Sequence, residues 1–153
     1  MTFAQYEPEK LTVNGYVKFL QTILYEDFDQ EWLTDNLIHN RINIHWHPGS
    51  KINGVVEFRN RFFYGDFVRT IPGYKEMVVQ DNGFIDLSFN WSDGQSYLLN
   101  STIDRVYLDY ITGKFQARVG RQRINWSQNL IWNPNDVFNA YSYFDFDYEE
   151  RPG

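Results

Sequence analysis

The stretch LIHNRINIHWHPGSKINGVVEFRNRFFYG, residues 37–65, alternates apolar and polar side chains on both sides of a turn sequence. In the first half the apolar set is Ile38, Ile42, Ile44 and Trp46, and the polar set is His39, Arg41, Asn43, His45 and His47. In the second half the apolar set is Ile52, Val56, Phe58, Phe62 and Tyr64, and the polar set is Asn53, Glu57, Arg59 and Arg61. Because successive side chains of a strand point to opposite faces, each half predicts an amphipathic strand. HPGSK contains the turn formers Pro, Gly and Ser, so the two strands are predicted to form a hairpin.

The same alternation continues over most of the chain. Further strands are predicted at 11–25, 85–91 and 97–111, and a last strand begins at Phe115. The turn sequences SDGQ and ITGK separate the last three strands, and a longer connection with the breaker IPG covers 66–83. The chain is therefore predicted to be all-β, an antiparallel meander of about six strands. Several of these strands have about 11 to 15 residues, whereas strands of soluble proteins most often have about 5 to 6.

The last strand changes phase at Gly120. Before it the apolar residues occupy odd positions, and after it Ile124 and Trp126 occupy even ones. A β-bulge at or near Gly120 would restore the register and place Arg121 and Arg123 on the face that carries Arg118. The arginines are then predicted to form one column along the strand.

Composition excludes several classes of protein. The chain has 153 residues and no linker, which predicts a single domain over 1–153 with a short tail at 1–10. A net charge of −6 argues against a nucleic-acid partner, because phosphate binding needs a basic face. The chain has no cysteine, which excludes disulfides and thiolate sites, and no apolar run long enough for a transmembrane helix. Aromatic residues make up 19%, and the mean hydropathy of −0.54 is compatible with the alternating strands of a transmembrane barrel.

The end of the chain, GRQRINWSQNLIWNPNDVFNAYSYFDFDYEERPG, resembles a segment of porin-like outer-membrane β-barrel proteins of Gram-negative, Bacteroidetes-type bacteria. In those proteins a strand of the form Gly-Arg-Gln-x-Ile-x-Trp-Gly precedes Asn-Pro-x-Asp. The matching residues are Arg121, Gln122, Ile124, Trp126, Asn133, Pro134 and Asp136, while Ser127 replaces the usual Gly. The resemblance implies an up-and-down transmembrane barrel in the outer membrane, of which this chain is an incomplete N-terminal part. After Trp126 the strand alternation stops, and 127–153 is predicted to be a non-strand segment that folds into the lumen.

Physical chemistry allows two interpretations of the alternating strands. A transmembrane barrel turns its apolar face to lipid and its charged face to a water-filled lumen. A soluble β-sandwich or lipocalin-like barrel has the opposite polarity. Alternation alone does not tell which face points inward, and the resemblance favours the membrane barrel.

The candidate site is a set of charged residues on the polar faces of the strands. The predicted pore-lining residues are Arg41, Glu57, Arg59, Arg61, Arg105, Arg121 and Arg123. Acidic groups are expected to oppose the arginines across the lumen, with Asp145, Asp147 and Glu149 as the predicted salt-bridge partners of Arg121 and Arg123. Opposed rows of charge would create a transverse field that orders dipolar solutes and rejects apolar ones.

Other chemistry has little support in the sequence. His45 and His47 share a strand face but lack a third ligand, so no metal site or cofactor is predicted. No nucleophile motif or phosphate loop occurs, and no enzymatic activity or catalytic residue is expected.

The sequence thus predicts the wall of an outer-membrane porin that passes small polar solutes, with the lipid bilayer and other barrel subunits as partners. One alternative is a soluble β-module that binds carbohydrate through exposed aromatic residues. Another is a structural membrane barrel without transport.

Overall fold

The computed structural model describes residues 9–25, 27, 31–81 and 85–122. These residues form six strands and two short helices: β1 (Leu11–Leu24), β2 (Leu33–Trp46), β3 (Ile52–Gly65), α1 (Asp66–Thr70), α2 (Tyr74–Val79), β4 (Ser88–Asp93), β5 (Tyr97–Thr112) and β6 (Phe115–Arg121). The prediction of an all-β chain is confirmed. The predicted segment 127–153, Arg123, and most of the predicted tail at 1–10 lie outside the described residues.

All described strands belong to one antiparallel sheet in the order β1-β2-β3-β5-β4, with β6 also paired to β5. The predicted hairpin of β2 and β3 is present, and its register places Arg41 opposite Arg59. Along the far edge of β5, β4 pairs with residues 98–102 and β6 pairs with residues 106–112. The described strands therefore form an open sheet, with β1 at one edge and β4 and β6 at the other.

Two strand boundaries differ from the prediction for local reasons. β2 begins at Leu33 rather than near residue 37, because Leu33, Thr34 and Asp35 continue the pairing with β1. β4 begins at Ser88 rather than near residue 85. The carboxylate of Asp86 accepts a hydrogen bond from the backbone N–H of Ser88 at 2.8 Å, which holds the preceding residues in a turn.

The connection after β3 folds into α1 and α2, which alternation could not predict. Val68 and Tyr74 from the helices pack against Phe63 and Leu98 from the sheet. Phe63 and Tyr74 meet edge to face, with ring centroids 6.2 Å apart. This cluster is the apolar core, and it covers one end of the polar face. Within the described residues, no helix is long and apolar enough to cross a membrane.

The predicted bulge near Gly120 is wrong. β6 keeps one register with β5 from Phe115 to Arg121, and Gly120 lies directly opposite Tyr107. The register shift lies instead between β3 and β5, where Glu57 pairs with Arg105 and Phe58 pairs with Ile103. Asp104 is the extra residue of this bulge. The side chains on the polar face of β5 therefore have even numbers up to Asp104 and odd numbers after it.

Candidate functional site

In this sheet the polar residues are buried and many apolar residues are exposed, the reverse of the pattern in a soluble protein. The buried polar residues of the polar face include His39, Arg41, Glu57, Arg59, Arg61, Asn100, Thr102, Asp104 and Asp109, each less than 9% exposed. The opposite, apolar face carries exposed aliphatic and aromatic side chains, among them Val13, Val17, Phe19, Ile38, Ile42, Trp46, Leu108 and Val119. Fully buried charges are rare unless they are paired, so the pairing on the polar face is the feature that any function must explain.

Arg41, Glu57, Arg59, Asp104 and Arg105 form a network of ion pairs, named here the charged row. Arg41 Nη2 lies 3.0 Å from Glu57 Oε2 and 3.5 Å from Asp104 Oδ2. Arg59 Nη2 lies 2.9 Å from Asp104 Oδ1, and Arg105 Nη1 lies 3.1 Å from Glu57 Oε1. Each carboxylate thus bridges two guanidinium groups from two other strands: Glu57 joins Arg41 of β2 to Arg105 of β5, and Asp104 joins Arg41 of β2 to Arg59 of β3. This sharing compensates the cost of burying the charges.

Arg61 extends the charged row toward the helices. Its Nη2 donates to Asn100 Oδ1 at 2.9 Å, and its guanidinium lies 5.8 Å from the ring centroid of Phe63. Asn100 is fully buried and donates in turn to Ser88 Oγ at 2.7 Å and Asn90 Oδ1 at 2.9 Å. Polar contacts therefore continue across β3, β5 and β4 without a break.

A second charged cluster lies on the polar face near the ITGK turn. Arg118 Nη2 lies 3.1 Å from Asp109 Oδ2, and Gln116 Nε2 donates to both oxygens of the same carboxylate at 3.1 Å. The Arg118 guanidinium also lies 4.6 Å from the ring centroid of Tyr107. This cluster joins β5 to β6 and is separate from the charged row.

The helices are held to the start of β2 by two polar contacts. Thr34 donates to Asp66 Oδ2 through its backbone N–H at 3.0 Å and through its hydroxyl at 2.8 Å. The hydroxyl bond is the largest of three effects that lower the pKa of Asp66, followed by the backbone bond from Thr34 and the charge of Arg69. Tyr74 donates its hydroxyl to Asp35, and burial together with this carboxylate raises the pKa of Tyr74. Both groups keep their ordinary charge near neutral pH, so the contacts persist there.

Five of the residues predicted to line a pore are on the same face of the sheet. Arg41, Arg59, Arg61, Arg105 and Glu57 all lie on the polar face; ion pairs with Asp104 complete the network of all but Arg61, whose guanidinium donates to Asn100. The network also contains Asp104, which the prediction had not paired with any arginine. The signal for it is the shift of apolar positions from Ile103 to Val106 in β5, which reveals the bulge.

Arg121 does not join the charged row. Its two terminal nitrogens each lie 2.7 Å from one oxygen of Asp81, and Nη1 also donates to the carbonyl of Ile85 at 3.1 Å. The predicted single column of arginines is therefore wrong, because Arg121 turns to the α2–β4 connection while Arg118 pairs with Asp109. The remaining predicted partners, Asp145, Asp147 and Glu149, lie outside the described residues, as does Arg123.

The apolar face ends in aromatic residues on both sides. Trp46 of β2 lies opposite Gly54 at one end, and Tyr64 of β3 lies opposite Asn36 and Tyr97 at the other. Phe62 stacks on Tyr64 with centroids 5.4 Å apart and lies 6.2 Å from the ring of Tyr97. About ten residue steps separate Gly54 from Tyr64 along β3, which corresponds to about 33 Å of strand.

No group of three or more metal-binding side chains occurs among residues 9–25, 27, 31–81 and 85–122. The ring centroids of His45, in β2, and His47, just after the end of β2, lie 6.4 Å apart. The carboxylates Glu57 and Asp104 are each engaged by arginines, an arrangement that suits a structural or electrostatic role better than proton transfer.

Comparison with known proteins gives no relative: no family model matches the chain, and no curated protein or solved structure matches it significantly.

Proposed function

We propose that this sheet is part of the wall of a porin-like barrel in the bacterial outer membrane, with its apolar face toward lipid and its charged row toward a water-filled lumen. The observation that carries the proposal is the inverted burial. Arg41 is 3% exposed while Val119 and Val17, on the apolar face, are 74% and 67% exposed.

A soluble sandwich is a poor explanation of this inversion. Such a fold hides its apolar face against a second sheet, yet among the described residues the apolar face is covered by no other element. An apolar surface of this extent in water would favour aggregation. Hydrocarbon, in contrast, accepts apolar side chains and only requires that backbone groups be paired within the sheet.

The dimensions of the apolar face also support a membrane. Strand tilt in outer-membrane barrels is about 35 to 45°, so about 33 Å of strand between the aromatic ends spans about 25 Å of height. This height is that of the apolar band of such barrels, and aromatic residues form girdles at its two borders. Trp46 on one side and Tyr64 and Tyr97 on the other fit those positions.

The charged row would set the selectivity of the lumen. Three arginines, Arg41, Arg59 and Arg105, share two carboxylates, Glu57 and Asp104, so the charged row has an excess of positive charge. Within the described residues, the carboxylates and the arginines of the charged row lie on the same wall. We therefore expect the row to favour small anionic and strongly dipolar solutes.

The experiment is flux through the full-length protein in liposomes. We expect uptake of small polar solutes, with anions entering faster than cations of the same size. Arg105→Gln should reduce this preference, because the Arg105 side chain is the most exposed of the charged row at 22%. Arg69→Gln is the matched control, since Arg69 is an exposed arginine on α1 outside the row. Inserted protein without solute flux would favour a structural barrel, and a monodisperse monomer in detergent-free buffer would contradict the membrane assignment.

A further inference from the structure

A chain of hydrogen bonds between side chains crosses the apolar face, and it is named here the amide ladder. Trp91 Nε1 donates to Ser101 Oγ at 2.8 Å, and Ser101 Oγ donates to Asn60 Oδ1 at 2.6 Å. Asn60 Nδ2 donates to Asn40 Oδ1 at 3.0 Å, and Asn40 Nδ2 donates to the carbonyl oxygen of Tyr16 at 3.0 Å. The amide ladder thus connects β4, β5, β3, β2 and β1 at one level of the sheet.

The amide ladder interrupts an otherwise apolar surface. Asn40 lies opposite Asn60, and Asn60 lies opposite Ser101, so the three side chains form one row on the face that bears Ile42 and Phe58. The neighbouring rows on either side are apolar: Ile38, Phe62 and Leu99 on one side, and Ile42, Phe58 and Ile103 on the other. Between the aromatic ends of the face, Gly54 and Tyr64 on β3, Asn60 lies close to the middle. In a membrane-inserted wall this is the depth of the hydrocarbon centre.

Acyl chains are an unsuitable environment for this row. An amide carries two N–H groups, and the ladder uses one N–H of Asn40 and one of Asn60. The second N–H of each amide finds no acceptor in hydrocarbon, where an unsatisfied polar group is costly. Side chains of this type within a membrane commonly form hydrogen bonds to another protein segment.

We propose that the amide ladder is the centre of a contact between two copies of this chain, an inference that rests on the proposed insertion of the sheet in a membrane. A second copy is favoured because amides offer both donors and acceptors, so the same row on two copies is self-complementary about a two-fold axis. Trp91, 71% exposed at the end of the ladder, provides a large side chain to bury in such a contact. The apolar rows on either side then pack against their own counterparts.

The first test uses lipid contact and needs no change to the ladder. Because the chain has no cysteine, a single cysteine introduced at a chosen site can carry the only fluorescent label. Val17→Cys places the label opposite Asn40 at the level of the ladder, and Val119→Cys places it on the apolar face away from it. In liposomes of brominated lipid we expect strong quenching at residue 119 and weaker quenching at residue 17. Equal strong quenching at both would overturn the contact while leaving membrane insertion intact, and no quenching at either would overturn insertion as well.

The second test removes the ladder and measures mass. The double substitution Asn40→Leu and Asn60→Leu makes the row apolar, which lipid tolerates. In mild detergent we expect the sedimenting protein mass to fall to about half, from a pair of chains to one, with unchanged β-sheet circular dichroism. The matched control is Asn43→Leu, the same change on the same strand but on the polar face, which should leave the mass as in the wild type. A wild type that is already a single chain, or a double variant that keeps the larger mass, would overturn the proposal.

Discussion

Arg59 and Asp104 form an ion pair of 2.9 Å in which both side chains are 8% exposed. The pair exists because a β-bulge inserts Asp104 into β5 where the opposite strand has no additional residue. The same carboxylate lies 3.5 Å from Arg41 Nη2, so one inserted residue supplies negative charge to two strands. The geometry predicts that the three side chains depend on one another.

Asp104→Asn should therefore be strongly destabilising, because it leaves the buried charges of Arg59 and Arg41 with less compensation. We expect a loss of about 3 to 5 kcal/mol in the free energy of unfolding, the usual cost of breaking a buried ion pair from one side. Urea unfolding of the full-length protein in micelles measures it. Arg69→Ala, which breaks an exposed pair with Asp66, is the control and should cost much less, because solvent screens the pair. Equal small losses in both variants would show that the charged row does not contribute to stability.

Deletion of Asp104 tests the bulge itself. Without this residue, Ile103 and Arg105 become neighbours and pair regularly with Phe58 and Glu57. All the remaining side chains of β5 then keep their faces. We therefore expect a folded protein whose free energy of unfolding is within about 1 kcal/mol of that of Asp104→Ala. Deletion of Leu108 is the control, because it moves the residues on one side of it to the wrong face. If both deletions abolish β-sheet circular dichroism, the bulge is not where the structure places it.

Ile42→Arg tests which face meets lipid. Ile42 lies on the apolar face near its middle, where an arginine in hydrocarbon costs about 2 to 4 kcal/mol. Asn43→Arg places an arginine on the polar face of the same strand, and we expect a smaller loss in the free energy of unfolding. Unfolding in lipid vesicles compares the two. A larger loss for Asn43→Arg would mean that the faces are assigned in reverse.

The attachment of α1 should weaken in acid. The bonds from Thr34 lower the pKa of Asp66 below its ordinary value of 3.8, so the folded state stabilises the ionised carboxylate. This contribution is complete well above pH 3.8 and is lost as the pH falls through the lowered pKa. Amide hydrogen exchange of α1 against pH should show this change. In Thr34→Val the Asp66 pKa should rise toward 3.8, whereas an unchanged pKa would contradict the role of the hydroxyl.

Alternation in the sequence was sufficient to predict the six strands and, in β2 and β3, the membership of each face. It places Arg41, Arg59 and Arg61 on one face because all three have odd numbers in a hairpin whose turn is recognisable from the sequence. It could not predict that β3 pairs with β5, since the shortness of β4 and the pairing of β6 beside it depend on long-range contacts.

The errors in the site have a common cause. The arginines were assigned to one column from their parity and a bulge near Gly120, but an arginine side chain is long enough to reach a loop, as Arg121 does to Asp81. The phase shift at Gly120 was interpreted as a bulge, although the bulge that organises the charged row lies in β5 and is marked only by Ile103 and Val106. The helices depend on the tertiary packing of Val68 and Tyr74, for which period-two alternation gives no signal.

The most direct test of the central claim is the environment of successive residues along one strand of the full-length protein in liposomes. Single cysteines at 43, 44, 45 and 46 of β2 alternate between the polar and apolar faces, so each label has neighbours of the opposite assignment. We predict that fluorescent labels on the cysteines at 44 and 46 are quenched by brominated lipid, and that the unlabelled cysteines at 43 and 45 react with a membrane-impermeant thiol reagent applied to both sides of the bilayer. Reaction with the aqueous reagent at all four positions, or lipid quenching at 43 and 45, would contradict the assignment of the sheet to a barrel wall.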